Sequence, residues 1–593
     1  MAKLIKNILT FEFFARYRLS LFILIISTVI CNILEVFSLG AMIPFLQNLI
    51  TGEGNGNTPE NLGKFFEFLR WATDGKAVNL LIFFGLANLF RVFLTIFRDS
   101  FKVHLTNRVR TNAQGAIFNK YMFASYDKLV SRKNSDLIYN IISFPQDVGQ
   151  LFNIIPQLTI GVIGFAVISS FLFLLSPKVF FVTLAVGALM GMLIVLTFKK
   201  RLQVRGEAVI RIQGDLVGIT QQGIEGFKEI KINKLESFFD SRFYAANESF
   251  YINKILAGIY SIAPSRSIEF FVFLAVTVVG ACYFEADQLS FKTYLPSVLI
   301  YIVAVFRLIS PLNLLVQDIG RLNSMSYTFT LLKQILEEDL STPKVDDYQT
   351  SKESINEIVL RDVSYSYEED KKVLKPVNLK INKGEIIGVV GPSGAGKSTL
   401  VNLIMGLLDS QNGVISLKGN IGPINDKGRF RDYIGYVSQD SFLFRGKISE
   451  NITCFNDSNK DQLEKVLYIA DCEDFINKLP DGVESELGDR GLGFSGGQVQ
   501  RVCIARALYK GGDILILDEA TSALDPITEQ KVLKSITTEY PDKIIIFLTH
   551  RLKSLDYADR VLFLEQGEVK GEGTLDSLLK ENRSFERFYN RQE

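Results

Sequence analysis

Histidine is the scarcest ionisable residue of this 593-residue chain, with two copies, and cysteine is nearly as rare, with five. The cysteines, Cys31, Cys282, Cys454, Cys472 and Cys503, are odd in number and scattered, with no CxxC pair and no histidine nearby. That pattern excludes a sequence-local metal site and reads as reduced structural thiols. An excess of either charge is also missing: 65 Lys and Arg stand against 64 Asp and Glu, a net charge of +1. No nucleic-acid partner is expected, because binding a phosphate backbone needs a concentrated basic surface. The first apolar segment lacks a small-residue cleavage site and runs past signal-peptide length, so it reads as a retained membrane helix.

Long apolar runs are what the first half has in abundance. The length suggests roughly two to four domains. Composition divides the chain: residues to about 325 carry the apolar runs, and those from about 355 onward mix strands, glycine turns and charged helices. A polar stretch at 337–353, with Pro343 and several acids, reads as an exposed linker between a transmembrane domain at 1–336 and a soluble domain at 354–593. A bilayer core of about 30 Å needs about 20 apolar residues per helix. Six segments meet or approach that length, near 19–50, 77–106, 151–175, 178–198, 258–284 and 293–325. Arg16 and Arg18 precede the first, Arg108, Arg110, Lys120, Arg132 and Lys133 follow the second, and Lys199, Lys200 and Arg201 follow the fourth. By the positive-inside rule both termini are expected in the cytoplasm.

The soluble half carries the chemistry. Gly391-Pro392-Ser393-Gly394-Ala395-Gly396-Lys397-Ser398 follows the apolar run 386–390. A strand, a glycine loop and a helix start in that order let backbone N–H groups surround phosphate oxygens, with Lys397 reaching the β and γ phosphates and Ser398 offering a hydroxyl to magnesium. Downstream, Ile514-Leu515-Ile516-Leu517-Asp518-Glu519 ends an apolar strand in two acids. One carboxylate suits the metal and the other an attacking water. Taken alone, the pair also fits a helix cap. Its companions are Phe494-Ser495-Gly496-Gly497-Gln498, ahead of a basic helix, then Ser522-Ala523-Leu524-Asp525, and His550 after the strand 544–548.

Together these motifs resemble the ATP-binding cassette family, in its exporter type with the membrane domain ahead of the cassette. The expected fold class is therefore a six-helix membrane α-domain fused to an α/β P-loop nucleotide-binding domain. The resemblance implies ATP and Mg2+ as cofactors. It makes Tyr367 the adenine-stacking aromatic, Gln439 the Q-loop residue beside the metal, Glu519 the catalytic base and His550 the switch histidine. It assigns Gly391, Ser393, Gly394, Gly396, Lys397, Ser398 and Thr399 to the bound nucleotide, Ser398, Gln439 and Asp518 to magnesium, and Ser495, Gly496, Gly497 and Gln498 to the nucleotide of a partner cassette. Phe494 departs from the leucine usual at the signature's first position. One copy of each motif implies a dimer, most simply of identical chains. Coupling helices are expected near 126–137 and 228–239, where solvated helix extensions would have the same composition.

Charges inside the apolar segments, Glu35, Arg91, Arg98, Arg266, Glu269 and Arg307, bear on the substrate. Each central Arg costs at least about 2.5 kcal/mol on insertion scales, so it must find a partner or water. In one explanation Arg266 or Arg91 pairs with Glu35 or Glu269, and Arg98 snorkels to the interface. In the other, Arg91, Arg266 and Arg307 line a path for an anion, since guanidinium forks bind phosphate in bidentate fashion. In the first loop, Leu62, Phe65, Phe66 and Leu69 share one face of a short amphipathic helix over 61–71, able to touch a lipid tail or the bundle.

Leu34-Glu35-Val36, Met42-Ile43-Pro44-Phe45, Phe90-Arg91, Pro264 to Arg266 and Phe306-Arg307-Leu308 are similar to bacterial flippases of lipid-linked oligosaccharides in protein glycosylation, the PglK type. That resemblance implies that Arg91, Arg266 and Arg307 engage a pyrophosphate and that the chain works in a bacterial inner membrane. Two other functions stay open: an exporter of another lipid, a peptide or a drug, and an ATP-gated channel or regulator. Intact Glu519 and His550 argue against the last.

Overall fold

The computed structural model describes residues 7–8, 10–51, 77–130, 132–175, 177–286, 288–340, 354–368, 371–420, 422–488 and 493–591. Two compact units divide the chain, one of Met1–Phe123 with Arg132–Leu340 and one of Ala124–Ser131 with Ser341–Glu593. The amphipathic first-loop helix expected at 61–71 lies outside the described residues, as does the linker from 341 to 353. The short helix Tyr126–Val130, in the first of the two expected coupling segments, belongs to the second unit.

Six long helices build the first unit: α1 (Arg18–Thr51), α2 (Ala77–Met122), α3 (Phe144–Leu175), α4 (Pro177–Glu225), α5 (Glu236–Ala286) and α6 (Gln288–Ser324), followed by α7 (Ser326–Glu337). Each apolar segment of the sequence falls within one of them. Several helices run well past those segments: α2 ends 16 residues beyond 106, and α5 begins 22 residues before 258. The extensions are polar, so a search for apolar runs stops short of them, and packing between neighbouring helices holds them instead. Among the described residues, Arg18–Phe37 and Phe144–Leu174 are long and apolar enough to cross a membrane, with mean hydropathies of 2.3 and 2.0. On α2, Ile82, Leu86, Leu89, Phe93 and Ile96 recur every three or four residues and are all more than half exposed. A continuous greasy stripe of this kind is unfavourable in water and suits lipid or another apolar helix.

Small residues set how closely the helices approach. A Cβ on Gly161 of α3 would sit 2.9 Å from Leu315 and 3.2 Å from the Pro311 carbonyl oxygen of α6. A Cβ on Gly206 of α4 would run into the backbone of Ser324, the last residue of α6.

The second unit holds strands β1 (Ile355–Glu368), β2 (Lys371–Asn382), β3 (Ile386–Val390), β4 (Asn412–Gly419), β5 (Pro423–Ile424), β6 (Ile434–Val437), β7 (Gly446–Lys447), β8 (Glu486–Leu487), β9 (Ile514–Asp518), β10 (Ile544–Leu548), β11 (Arg560–Glu565) and β12 (Glu568–Gly573). β2, β1, β4 and β5 form an antiparallel sheet in that order. The central sheet runs β12-β11-β3-β10-β9-β6, parallel except at its β12 edge. Its inner strands β3, β9 and β10 are apolar up to the strand-end Asp518 because both faces are covered, whereas the edge strand β12 is polar and partly exposed. Leu515, Leu517, Ile545 and Phe547 point into one buried cluster, and Ile514, Ile516, Ile544 and Ile546 into the other. Helix α8 (Lys397–Ile404) follows β3, α9 (Gly496–Lys510) precedes β9, and α10 (Pro526–Glu539) follows it.

Candidate functional site

Parallel register gathers the functional residues at one edge of the central sheet. Leu548 of β10 lies beside Asp518 of β9, and Val437 of β6 beside Leu517. The residues leaving these strands, Gln439, Glu519 and His550, therefore emerge together at the carboxyl ends, where open α/β sheets bind ligands. β3 delivers the glycine loop 391–396 to the same edge.

The loop's backbone requires glycine. Gly391, Gly394 and Gly396 have φ of 152°, 78° and 97°, and a Cβ on Gly391 would strike the Leu564 carbonyl oxygen. Ser393 and Ser398 are exposed, while Thr399 is buried under the loop. Lys397 is also buried, and its Nζ donates to the carbonyl oxygens of Gly391 at 2.7 Å and Pro392 at 3.2 Å. Burial lowers the Lys397 pKa, against the pull of Glu519 and Asp518. A phosphate offers this ammonium a stronger, charge-assisted partner than the loop carbonyls.

Asp518 is buried at the strand end, and Tyr436 donates its hydroxyl to Oδ2 at 3.4 Å. Burial first, and Glu519 next, raise the Asp518 pKa, and burial followed by Asp518 raises that of Tyr436. Such a carboxylate is electrostatically under-compensated. The donor set of Ser398, Asp518 and Gln439 is all oxygen-bearing and holds a single carboxylate, which fits magnesium completed by phosphates and water. A bound magnesium ion would supply positive charge to the phosphates at this edge.

Glu519 takes a left-handed backbone conformation, φ 49°, with its N–H donating to the Leu548 carbonyl at 3.1 Å. Left-handed geometry at a non-glycine residue is uncommon and belongs with functional sites. Its two carboxylate oxygens face different partners: Oε1 lies 2.9 Å from His550 Nε2, and Oε2 accepts from Gln439 Nε2 at 3.0 Å. The three residues named from the sequence as base, switch and Q-loop thus meet in one hydrogen-bonded group.

Ser495 caps α9 in a capping box: its Oγ accepts from the Gln498 N–H at 3.3 Å and its N–H donates to Gln498 Oε1 at 2.8 Å. Gly496 and Gly497 pack on Ala523 and Leu524, so larger residues there would displace the 522–525 loop. The aromatic at Phe494 finds a partner in Phe475, edge to face at 6.0 Å, and the Arg501 guanidinium lies 4.8 Å over the Phe475 ring. Arg501 also donates to Asp471 Oδ2 at 2.9 Å, and Asp471 pairs with Lys531 of α10. Tyr367 is exposed and meets Tyr365 edge to face at 4.9 Å, leaving ring surface open for stacking.

Sequence reasoning missed the residues that hold the 522–525 loop. Gln500 donates to Ser522 Oγ at 3.1 Å and accepts from the Ala523 N–H at 3.0 Å. Arg551 donates to the carbonyl oxygens of Ser522 at 2.7 Å and Leu524 at 2.9 Å, and pairs with buried Glu529 at 2.6 Å. Their adjacency to the signature and to His550 was the available signal.

In the first unit, Arg91 and Arg307 converge on one atom. Glu35 Oε1 lies 2.8 Å from Arg307 Nη1 and 3.3 Å from Arg91 Nη1. Arg98 pairs with Asp99, its neighbour, at 3.1 Å. Arg266 is exposed on α5, and the side chain of Glu269 lies outside the described residues.

A glycine phosphate loop, a buried strand-end acid and a carboxylate shared by glutamine and histidine define a P-loop ATPase cassette, carried on the same chain as a unit of long apolar helices. A family model described as ABC transporter matches residues 374–522. The ATP-dependent lipid A-core flippase of Dechloromonas aromatica is 31% identical over 409 residues, 68% of this chain and 68% of that protein. A Rickettsia bellii protein named for export ATP-binding and permease roles is 33% identical over 326 residues, 54% of this chain, and the chain spans only 56% of its length. A solved bacterial Atm1-family ABC exporter with ATP bound matches with a TM-score of 0.80 and 20% identity over 98% of both chains, a likeness of fold. The chain belongs to the ATP-binding cassette transporters, in the exporter arrangement of a helical membrane region ahead of one nucleotide-binding domain, and ATP hydrolysis coupled to transport is the chemistry of that family.

Proposed function

We propose that two copies of this chain form an ATP-driven flippase that moves a polyprenyl-pyrophosphate-linked oligosaccharide from the cytoplasmic to the outer leaflet of a bacterial inner membrane. The observation that carries this reading is the arginine pair around Glu35. Arg91 and Arg307 bring two guanidinium groups to the middle of the apolar segments, against one carboxylate. Moving a pyrophosphate and sugars through hydrocarbon is prohibitive unless their charges and hydroxyls find polar substitutes. An excess of cationic forks supplies them. Arg266 is the third member of the proposed clamp.

In the cassette, Lys397 and the glycine loop bind the phosphates, Glu519 takes a proton from the attacking water, and Gln439 and His550 orient Glu519. Ser495 to Gln498 of one copy face the nucleotide of the other, so each copy completes its partner's site. Both termini lie in the cytoplasm.

Export of another lipid is the second reading, favoured by the 31% identical lipid A-core flippase, whose named substrate is also a lipid. The deciding experiment is ATP-dependent translocation of a labelled polyprenyl-pyrophosphate oligosaccharide in proteoliposomes, with wild type, Glu519→Gln and an Arg91→Ala, Arg266→Ala, Arg307→Ala triple variant. Transport by wild type alone, with hydrolysis retained by the triple variant, is the expected result. Unaltered flipping by the triple variant would remove the clamp. Hydrolysis without transport by wild type would move the substrate to another lipid.

A further inference from the structure

Glu35 sits near the centre of the apolar run of α1, where a lone carboxylate is expensive. Two arginines offset that cost: Arg307 from α6 donates to Glu35 Oε1 at 2.8 Å, and Arg91 Nη1 from α2 forms an ion pair with the same oxygen at 3.3 Å. Two guanidinium groups hold up to ten N–H donors, and the one carboxylate oxygen accepts from Arg307 Nη1 with Arg91 Nη1 close by. Arg91 Nε is buried and has no hydrogen-bond partner among the described residues. The Arg307 side chain is 45% exposed against 18% for Glu35. Among the described residues the cluster is thus over-supplied with donors, sets two positive charges against one negative, and has one arm open to an incoming group.

A carboxylate and a phosphoryl oxygen compete for the same donor fork, because both are anionic and accept two parallel N–H bonds. An anion that engages the whole Arg307 fork therefore competes with Glu35 for the Nη1 donor, and when it leaves, Glu35 takes that donor back.

We propose that Glu35 is an internal competitor for the anionic head group, a binding-site residue whose role is release: it weakens capture and returns the arginines to a paired state when the head group departs. This rests on the flippase reading for the identity of the head group, but the competition itself requires only an anion. Tight ground-state binding lowers KM without raising turnover and slows departure of product, so a transporter gains rate from a displaced ligand that displaces in return.

The test compares wild type, Glu35→Gln and Glu35→Asp in nanodiscs, measuring ATPase stimulation by a polyprenyl pyrophosphate and, separately, by phosphatidylglycerol. Glu35→Gln is expected to lower the half-stimulating concentration of polyprenyl pyrophosphate about tenfold, the scale of one lost charge competition, and to lower the maximal stimulated rate as release slows. Glu35→Asp, which keeps the charge on a shorter stem, shifts both in the same direction by less, and it carries the test if the glutamine variant fails to fold. A purely structural ion pair predicts the opposite split, a raised half-stimulating concentration, and that result, or unchanged values in both variants, overturns the proposal. If wild type ignores polyprenyl pyrophosphate while phosphatidylglycerol binds tighter to Glu35→Gln, the competitor stands and the flippase reading falls. If polyprenyl pyrophosphate stimulates wild type and both variants alike, the flippase reading stands and the competitor falls.

Discussion

His550 Nε2 lies 2.9 Å from one carboxylate oxygen of Glu519, whose other oxygen is occupied by the Gln439 amide. Both oxygens are engaged, so the proposed base is aimed by two side chains leaving two different strands. Replacing Glu519 with Gln keeps the shape and removes the proton acceptor. Phosphate release should fall by about 10²–10⁴-fold, the usual share of general base catalysis, while ATP stays bound and holds the proposed dimer closed through gel filtration. Hydrolysis within a few-fold of wild type would remove Glu519 from the role of base.

Asp518 gives a pH-dependent prediction. Burial raises its pKa, so in the nucleotide-free protein its charged form is disfavoured relative to the unfolded chain. The folded state then holds its proton more tightly, and stability falls as pH rises from the ordinary aspartate range through the raised value. Asp518→Asn should raise the Tm of the nucleotide-free protein at pH 7 to 8, with the gain vanishing at acid pH, and should cost stabilisation by Mg-ATP. A lower Tm for the variant at neutral pH would contradict the assignment.

Phe494 is the one departure from the family's usual signature, and it is tied through Phe475 and Arg501 to Asp471. An aromatic pair of this kind contributes about 0.5–1.5 kcal/mol. Phe475→Ala should therefore lower the maximal ATPase rate roughly two- to tenfold by loosening the signature, while nucleotide affinity of the cassette, read by a fluorescent ATP analogue, stays near wild type. Phe494→Leu, which keeps an apolar contact, should lose less. Equal loss of nucleotide affinity in both variants would place the effect on general folding.

Helix packing in the membrane unit is tested by two glycines. Gly206→Ala puts a methyl group into the Ser324 backbone, which cannot turn away, whereas a Cβ on Gly115 meets nothing within 4 Å. Overpacking costs about 1–3 kcal/mol. The first variant should lose several degrees of Tm in detergent, and Gly115→Ala should hold or gain through helix propensity.

The cassette was legible because its motifs are local. A strand, a glycine loop and a helix start are contiguous in sequence, and the acids of β9 end an unbroken apolar run. Gln500, Glu529 and Arg551 were not legible as a group, since their contacts join three elements brought together by tertiary packing. The membrane helices were found by their apolar segments, but their polar extensions carry no hydropathy signal and appear only when helix packs on helix. The charges were noticed individually. Arg307 as the closer partner of Glu35 required the approach of α6 to α1, which neither segment encodes alone.

Arg551 grips the carbonyl oxygens of Ser522 and Leu524, and its sequence neighbour His550 touches Glu519. One peptide bond thus separates the side chain that touches Glu519 from the one that holds the 522–525 loop. A displacement of His550, the proposed switch residue, would reach that loop through the single peptide bond that joins it to Arg551. The cassette therefore joins Glu519 to the loop that packs on the signature glycines by a connection one peptide bond long, shorter than any route through packed helices.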